Sequence, residues 1–265
     1  MFDFDKHFEA FMLSWYEAHK DEIEDEEAFE EEIPALYAQW VHTPIEALGT
    51  SPHDYFEKQT PEVLVTQMAE CAKEGEPSSV LLDAIVEKPA CAPLLAKAVA
   101  TPGCDHARII AANLLTEMGA AQPLDAYLAI LADEKADEGL VECAVEILGE
   151  YAEEVREKLH AMLPRCNAAQ KGMAAEILVN AKRDERTYTL LTELFASGDN
   201  TPYYAGLIGK YGDERAAAML YRALDTCSYA EYLEIKNAIE RMGGIVEIDR
   251  DFSSDPTFLA VKHLK

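Results

Sequence analysis

The sequence predicts an all-α protein, an α-solenoid of antiparallel helix pairs wound into a right-handed superhelix, and three observations predict it. The first is an internal period. AANLLTEMG begins at 111, AVEILGEYA at 144, AAEILVNAK at 174, YAGLIGKYG at 204 and KNAIERMGG at 236, so the starts lie 33, 30, 30 and 32 residues apart. Self-similarity at that spacing marks stacked supersecondary units, none of which buries its apolar face alone. The second is composition: 49% of the residues are hydrophobic, Ala, Leu and Glu dominate, and 13 Gly and 12 Pro act as punctuation. That mixture fills a large interior and favours helices. The third is a second apolar pattern that recurs in step with the first: Leu124 and Leu128, Val155 and Leu159, Tyr188 and Leu191, Ala217 and Leu220.

The elements follow in order. Phe4, Phe8, Phe11, Met12, Trp15 and Tyr16 fall on one helical face and predict a first helix over 4–19. The acidic run DEIEDEEAFEEE at 21–32 leads into a second helix, because Phe29, Ile33, Leu36, Tyr37 and Trp40 again keep helical spacing. Pro44, Gly49 and Pro52 make 41–56 a loop with a short helical turn inside it. Helical sections are expected over 61–73 and 77–88, and a proline-bounded short helix over 89–103. From Asp105 each unit reads as a helix, a turn and a second helix, with glycine or a small residue as the stop. GGIVEIDRDF at 243–252 reads as extended, with Ile245, Val246 and Ile248 as its apolar residues. A last helix starts after Ser254 or Asp255 as cap, with Pro256 in its first position. The expected organisation is an acidic helical section over 1–60, a repeat array over 61–244 that is clearest over 104–244, and a closing cap over 245–265.

The repeat units resemble HEAT-like repeats, in particular the short kind of roughly 30 residues found in phycobilisome lyases. The residues that carry the resemblance are the Ala-rich helix ending Leu-x-x-x-Gly in ARIIAANLLTEMG at 107–119, DHAR at 105–108, and GDERA at 212–216. Tyr204 and Lys236 depart from the small residue of the pattern, and Ala181 from its glycine. The resemblance implies a scaffold or adaptor fold; because such repeats also serve lyases and some DNA glycosylases, it implies no single activity. Residues 40–56 are also similar to the Trp-x-x-x-Pro…Leu-Gly…Ser-Pro segment of bacterial antitoxins. As a packed loop the same residues would be anchored by Trp40.

Fifty acidic residues against 23 basic ones leave a net charge of −27. Nucleic acid requires a basic stripe against its phosphates. Residues 1–60 (16 acids, 3 bases) and 104–245 (24 acids, 14 bases) both run the other way. Nucleic acid and anionic membranes are therefore not expected partners, and a protein or peptide is, a basic one suiting the field. The six cysteines include no CxxC pair, the N-terminus lacks a signal-peptide pattern, and no apolar run is long enough to cross a bilayer. A reduced, cytoplasmic chain is expected.

No motif for chemistry emerges. His106 lacks a second ligand pair at metal-site spacing, and His42 and His53, which flank one loop and could converge, are expected to be solvated loop histidines. No Gly-x-Ser-x-Gly elbow is present, and Gly206, Gly209 and Gly212 lie in a repeat helix, where small residues permit close packing. No catalytic, cofactor-binding or metal-binding residues are assigned. Seven of the 12 tyrosines fall between 188 and 232, and tyrosine is frequent in binding hot spots. If the second helices line the concave face of the stack, the leucine alignment sets His160, Thr192 and Tyr221 one beneath another. Arg156, Tyr188 and Arg222 lie beside them. These six residues are the expected partner-binding positions. The expected function is a non-enzymatic interaction scaffold or adaptor with a concave face for a peptide or protein. The competing readings are a lyase-like enzyme on the same repeats acting on a small molecule, and a structural homo-oligomer.

Overall fold

The computed structural model describes residues 2–23, 25–247 and 250–262, and is all-α: the described residues form sixteen α-helices and no strand. One isolated antiparallel bridge joins Ile45 and Thr50. Chain contacts divide the molecule into two compact units, Met1–Ala126 and Tyr127–Lys265. That division falls inside the expected array, in the first turn of an array helix, and not near residue 60.

The first unit opens with a helical hairpin, α1 (Phe4–His19) and α2 (Glu26–Val41), whose starts are capped by the Asp3 and Asp25 carboxylates accepting from the Lys6 and Ala28 N–H groups. Its apolar faces meet in an aromatic cluster: Phe8 contacts Tyr37 and Trp40, and Phe4 contacts Phe56. Trp40 is fully buried and its indole N–H donates to His7 Nδ1 at 3.0 Å, so it ties the end of α2 to α1. The expected helical turn in that loop is α3 (Pro52–Glu57). The Lys88 ammonium donates to the carbonyls of Phe56, Glu57 and Gln59 at 3.1, 2.7 and 3.0 Å, which satisfies the open end of α3. Helices α4 (Pro61–Cys71), α5 (Ser79–Val86), α6 (Ala92–Ala100) and α7 (Asp105–Glu117) complete the unit over a core of Leu64, Met68, Ile85, Leu95 and Leu115. Arg108 ties α7 to the end of α6 through the Val99 carbonyl at 3.0 Å and pairs with Asp105 at 2.9 Å.

The second unit consists of α8 (Leu124–Ala132), which straddles the boundary, α9 (Glu138–Glu150), α10 (Ala152–Met162), α11 (Ala168–Leu178), α12 (Glu185–Ser197), α13 (Thr201–Tyr211), α14 (Ala217–Ala223), α15 (Tyr229–Arg241) and α16 (Pro256–Val261). The first helices of successive pairs pack on one another, α9 on α11, α11 on α13 and α13 most closely on α15. The second helices bridge this row, α10 against α9 and α11, α12 against α11 and α13. Ile147 and Ile177 are buried in it. The second-helix register differs from the leucine alignment in α8, in α12 and at the start of α14, where Ala216 is buried and Ala217 only half-buried. In α8 the buried residues are Tyr127, Ile130 and Leu131, whereas Leu124 and Leu128 are only half-buried. In α12 Thr187 takes the buried place one turn before Leu191, and Tyr188 stands at the surface edge.

The close approach of α13 and α15 belongs to Gly209. A Cβ there would lie 2.7 Å from the Ala238 Cα. Gly206 meets nothing, and Gly212 is the left-handed C-cap of α13, with φ +70°. After α15 the chain is not helical over 245–247 and 250–255. Val246 and Phe252 are buried there, and Ile248 lies outside the described residues. Arg250 donates to the Leu224 and Cys227 carbonyls, and Asp255 caps α16 as expected.

Candidate functional site

The outward positions of α9, α11 and α13 carry the most coherent surface of the second unit. Each of these helices buries one face, for α9 Leu140, Val141, Ala144, Ile147 and Leu148. The positions beside that face then repeat in register: Glu142, Val145 and Gly149, then Met173, Glu176 and Asn180, then Tyr203, Gly206 and Lys210, shifted by 31 and 30 residues. All of them except Gly206 line a trough of about 750 Å³. Its floor is apolar, from Val141, Val145, Met173 and the Tyr203 ring, and its polar rim holds Glu142, Glu146, Glu150 and Glu176 with a single base, Lys210. A smaller cavity of about 280 Å³ shares Val141, Glu142 and Met173 with it and adds Asp133, Glu134 and Glu138. Together the two are lined by seven carboxylates and one ammonium.

Local structure holds these walls. The Asn167–Gln170 capping box starts α11, and the Gln170 amide donates to the Leu131 and Ala132 carbonyls, both at 3.1 Å, closing the end of α8. The Asn167 amide donates to Glu134 at 3.2 Å. Across the trough the Tyr203 hydroxyl donates to Glu176 at 2.6 Å, and burial together with that carboxylate pushes the phenol pKa well up. Glu138, Glu142, Glu146 and Glu150 stand every fourth residue along α9, and none forms an ion pair among the described residues. Such an arrangement attracts cationic groups and offers apolar contact to what carries them.

The six residues expected from sequence are placed on the second helices, and most of their polar groups are engaged within the chain. Arg156 lies 3.1 Å from Glu153, 3.6 Å from Glu157 and 3.8 Å from Asp184. His160 is buried, with its Nε2 3.3 Å from the Thr187 hydroxyl and 3.4 Å from Asp184. Burial, reinforced by the Arg186 charge, lowers the His160 pKa against the pull of Asp184. Burial works to raise Asp184, but the Thr187 N–H, His160 and Arg186 outweigh it and hold the carboxyl low. Tyr188 lies under the Arg215 guanidinium, 4.0 Å from ring centroid to carbon, and Arg215 also pairs with Asp213 and Glu185. Thr192 donates to the Tyr188 and Thr189 carbonyls at 3.0 Å. Tyr221 donates to the Ile245 carbonyl at 2.8 Å, and Arg222 to the Ala218 carbonyl at 3.0 Å.

The structure thus brings Arg156 and His160 together around Asp184. It leaves Tyr221 and Arg222 on α14, the former holding the chain that leads away from α15. An open cavity of about 590 Å³ between α10 and α12 has only His160 of the six in its lining. Glu142, Glu146, Met173 and Glu176 were not singled out from sequence. The signal that would find them is the four-residue spacing of glutamates over 138–150 combined with the 31- and 30-residue offsets. Among the described residues no three His, Cys, Asp or Glu side chains are gathered to hold a metal ion, and no helix is long and apolar enough to cross a membrane. No family model, curated protein or solved structure matches the chain.

Proposed function

We propose that the protein is a non-enzymatic interaction scaffold that holds a basic protein or peptide, working by shape and charge complementarity. The observation that carries this reading is the trough over α9, α11 and α13 with its adjoining smaller cavity, together lined by seven carboxylates and one ammonium around an apolar floor. In this reading the helix pairs stack as a HEAT-like α-solenoid, and the row of first helices presents the partner surface. The close α13–α15 contact and the in-register repetition of trough residues support that arrangement. A reducing, cytoplasmic setting fits the cysteines, which form no disulfide among the described residues.

The test compares retention of basic proteins by the immobilised native chain and by a Glu142→Lys/Glu146→Lys variant, at low and raised salt. The native chain should retain a set of proteins that salt releases, and the variant should lose that set. Equal retention by both chains overturns the reading.

A further inference from the structure

We infer that the trough takes a basic amphipathic helix of a partner protein. Its lysines or arginines face the Glu138–Glu142–Glu146–Glu150 edge, and its apolar stripe rests on Val145, Met173 and Tyr203. The inference deepens the scaffold reading and rests on it. Two features of the trough point to this occupant.

The first is the charge pattern of α9. Glutamates at i, i+4, i+8 and i+12 repel one another, and the last turn, where a base would suit the helix dipole, contains none. Only Glu138, in the first turn, is well placed for the dipole. The edge is therefore unfavourable for the isolated chain and becomes favourable against a row of cations. The twelve residues it spans rise about 18 Å along α9, the length over which a partner helix repeats at i, i+4, i+8 and i+12.

The second is the lack of partners for a bare backbone. A bound extended segment needs donors for its carbonyls as well as acceptors for its N–H groups. The trough supplies carboxylates in excess, but its donors are few, the Lys210 ammonium being its one cation. The Tyr203 hydroxyl is committed to Glu176, and the Asn180 amide to the Glu176 and Ile177 carbonyls. Among the described residues no strand offers a sheet edge there to extend. A helix satisfies its own backbone and presents only side chains, which is what a groove between helices recognises.

The experiment measures fluorescence anisotropy of labelled peptides against the full chain. One peptide carries lysines at i, i+4 and i+8 with leucines on the adjoining face. A second has the same composition scrambled so that no apolar stripe forms. A third replaces the lysines of the first by glutamates. We expect the first to bind and to gain helix by circular dichroism, the scrambled peptide to bind at least about tenfold more weakly, and Glu142→Gln/Glu146→Gln to weaken the first about tenfold. Those glutamines keep the side-chain shape and relieve like-charge repulsion, so thermal unfolding of the variant should be no lower. Glu142→Lys/Glu146→Lys should reverse the preference and bind the third peptide. Equal binding of the first and scrambled peptides overturns the helical occupant while leaving a basic-partner scaffold standing. The same holds if no peptide binds but charge reversal still abolishes retention of basic proteins. Loss of neither retention nor peptide binding on charge reversal overturns both readings.

Discussion

Gly206 and Gly209 stand three residues apart on α13, and at the scale of single residues they do opposite things. A Cβ at Gly209 would press on Ala238 backbone at 2.7 Å and on its Cβ at 3.0 Å, atoms that cannot swing aside. A Cβ at Gly206 would meet nothing within 4 Å. Gly209→Ala should therefore destabilise by about 1–3 kcal/mol despite its better helix propensity. Gly206→Ala should stabilise by about 0.5–1 kcal/mol. Chemical denaturation of the two variants checks this, and shifts of the same sign would mean that the α13–α15 contact is not set by Gly209. The glycine spacing in the sequence pointed to close packing, but it could not say which glycine is used. Three residues turn the helix by roughly 300°, a net offset of only about 60°, and packing alone decides that Gly209 and not Gly206 meets α15. Tyr221 teaches the same lesson. Its place among clustered tyrosines in the sequence does not show that its hydroxyl donates to the Ile245 carbonyl.

At the scale of elements, the joint between α10 and the start of α12 is polar. His160 on α10 faces Asp184 and Thr187 at the start of α12, with Arg156, Glu157 and Arg186 around them. Its pKa is lowered from the ordinary 6.5, chiefly by burial, so below that pH the unfolded chain takes up the proton before the folded one does. Stability is then present above about 6.5 and is lost as pH falls towards the folded value. Between about pH 7 and about pH 5 the native chain should lose stability relative to His160→Gln, measured by thermal unfolding across pH. Parallel curves would show that His160 is not burdened by burial. The helices themselves were legible in sequence nearly end to end, as α1 over Phe4–His19 and the Asp255–Pro256 start of α16 show. The register of α8 was not. LDAYLAIL has large apolar residues at 124, 127, 128, 130 and 131, all around the helix, so two buried faces suit the pattern equally. Packing selected Tyr127 and Leu131.

At the scale of the whole molecule the net charge of −27 dominates. Exposed ion pairs such as Arg186 with Glu157 contribute little, and salt screens them as it screens the repulsion among the excess acids. With more than two acids per base the repulsion is the larger effect. The thermal midpoint at neutral pH should therefore rise with sodium chloride, in contrast to partner binding at the trough, which should fall. A midpoint that drops with salt would mean that the ion pairs outweigh the repulsion.

From sequence alone the chain's helical class, its period, the limits of most helices and its acidic field could be determined, because caps, apolar spacing and net charge are local or additive. Only the tertiary structure decided that Arg156 and His160 are engaged around Asp184 while Glu142, Met173, Glu176 and Tyr203 line one trough. Helical periodicity orders residues around an axis. Which side is covered, and which carboxylates remain beside an open floor, depends on the neighbouring helices.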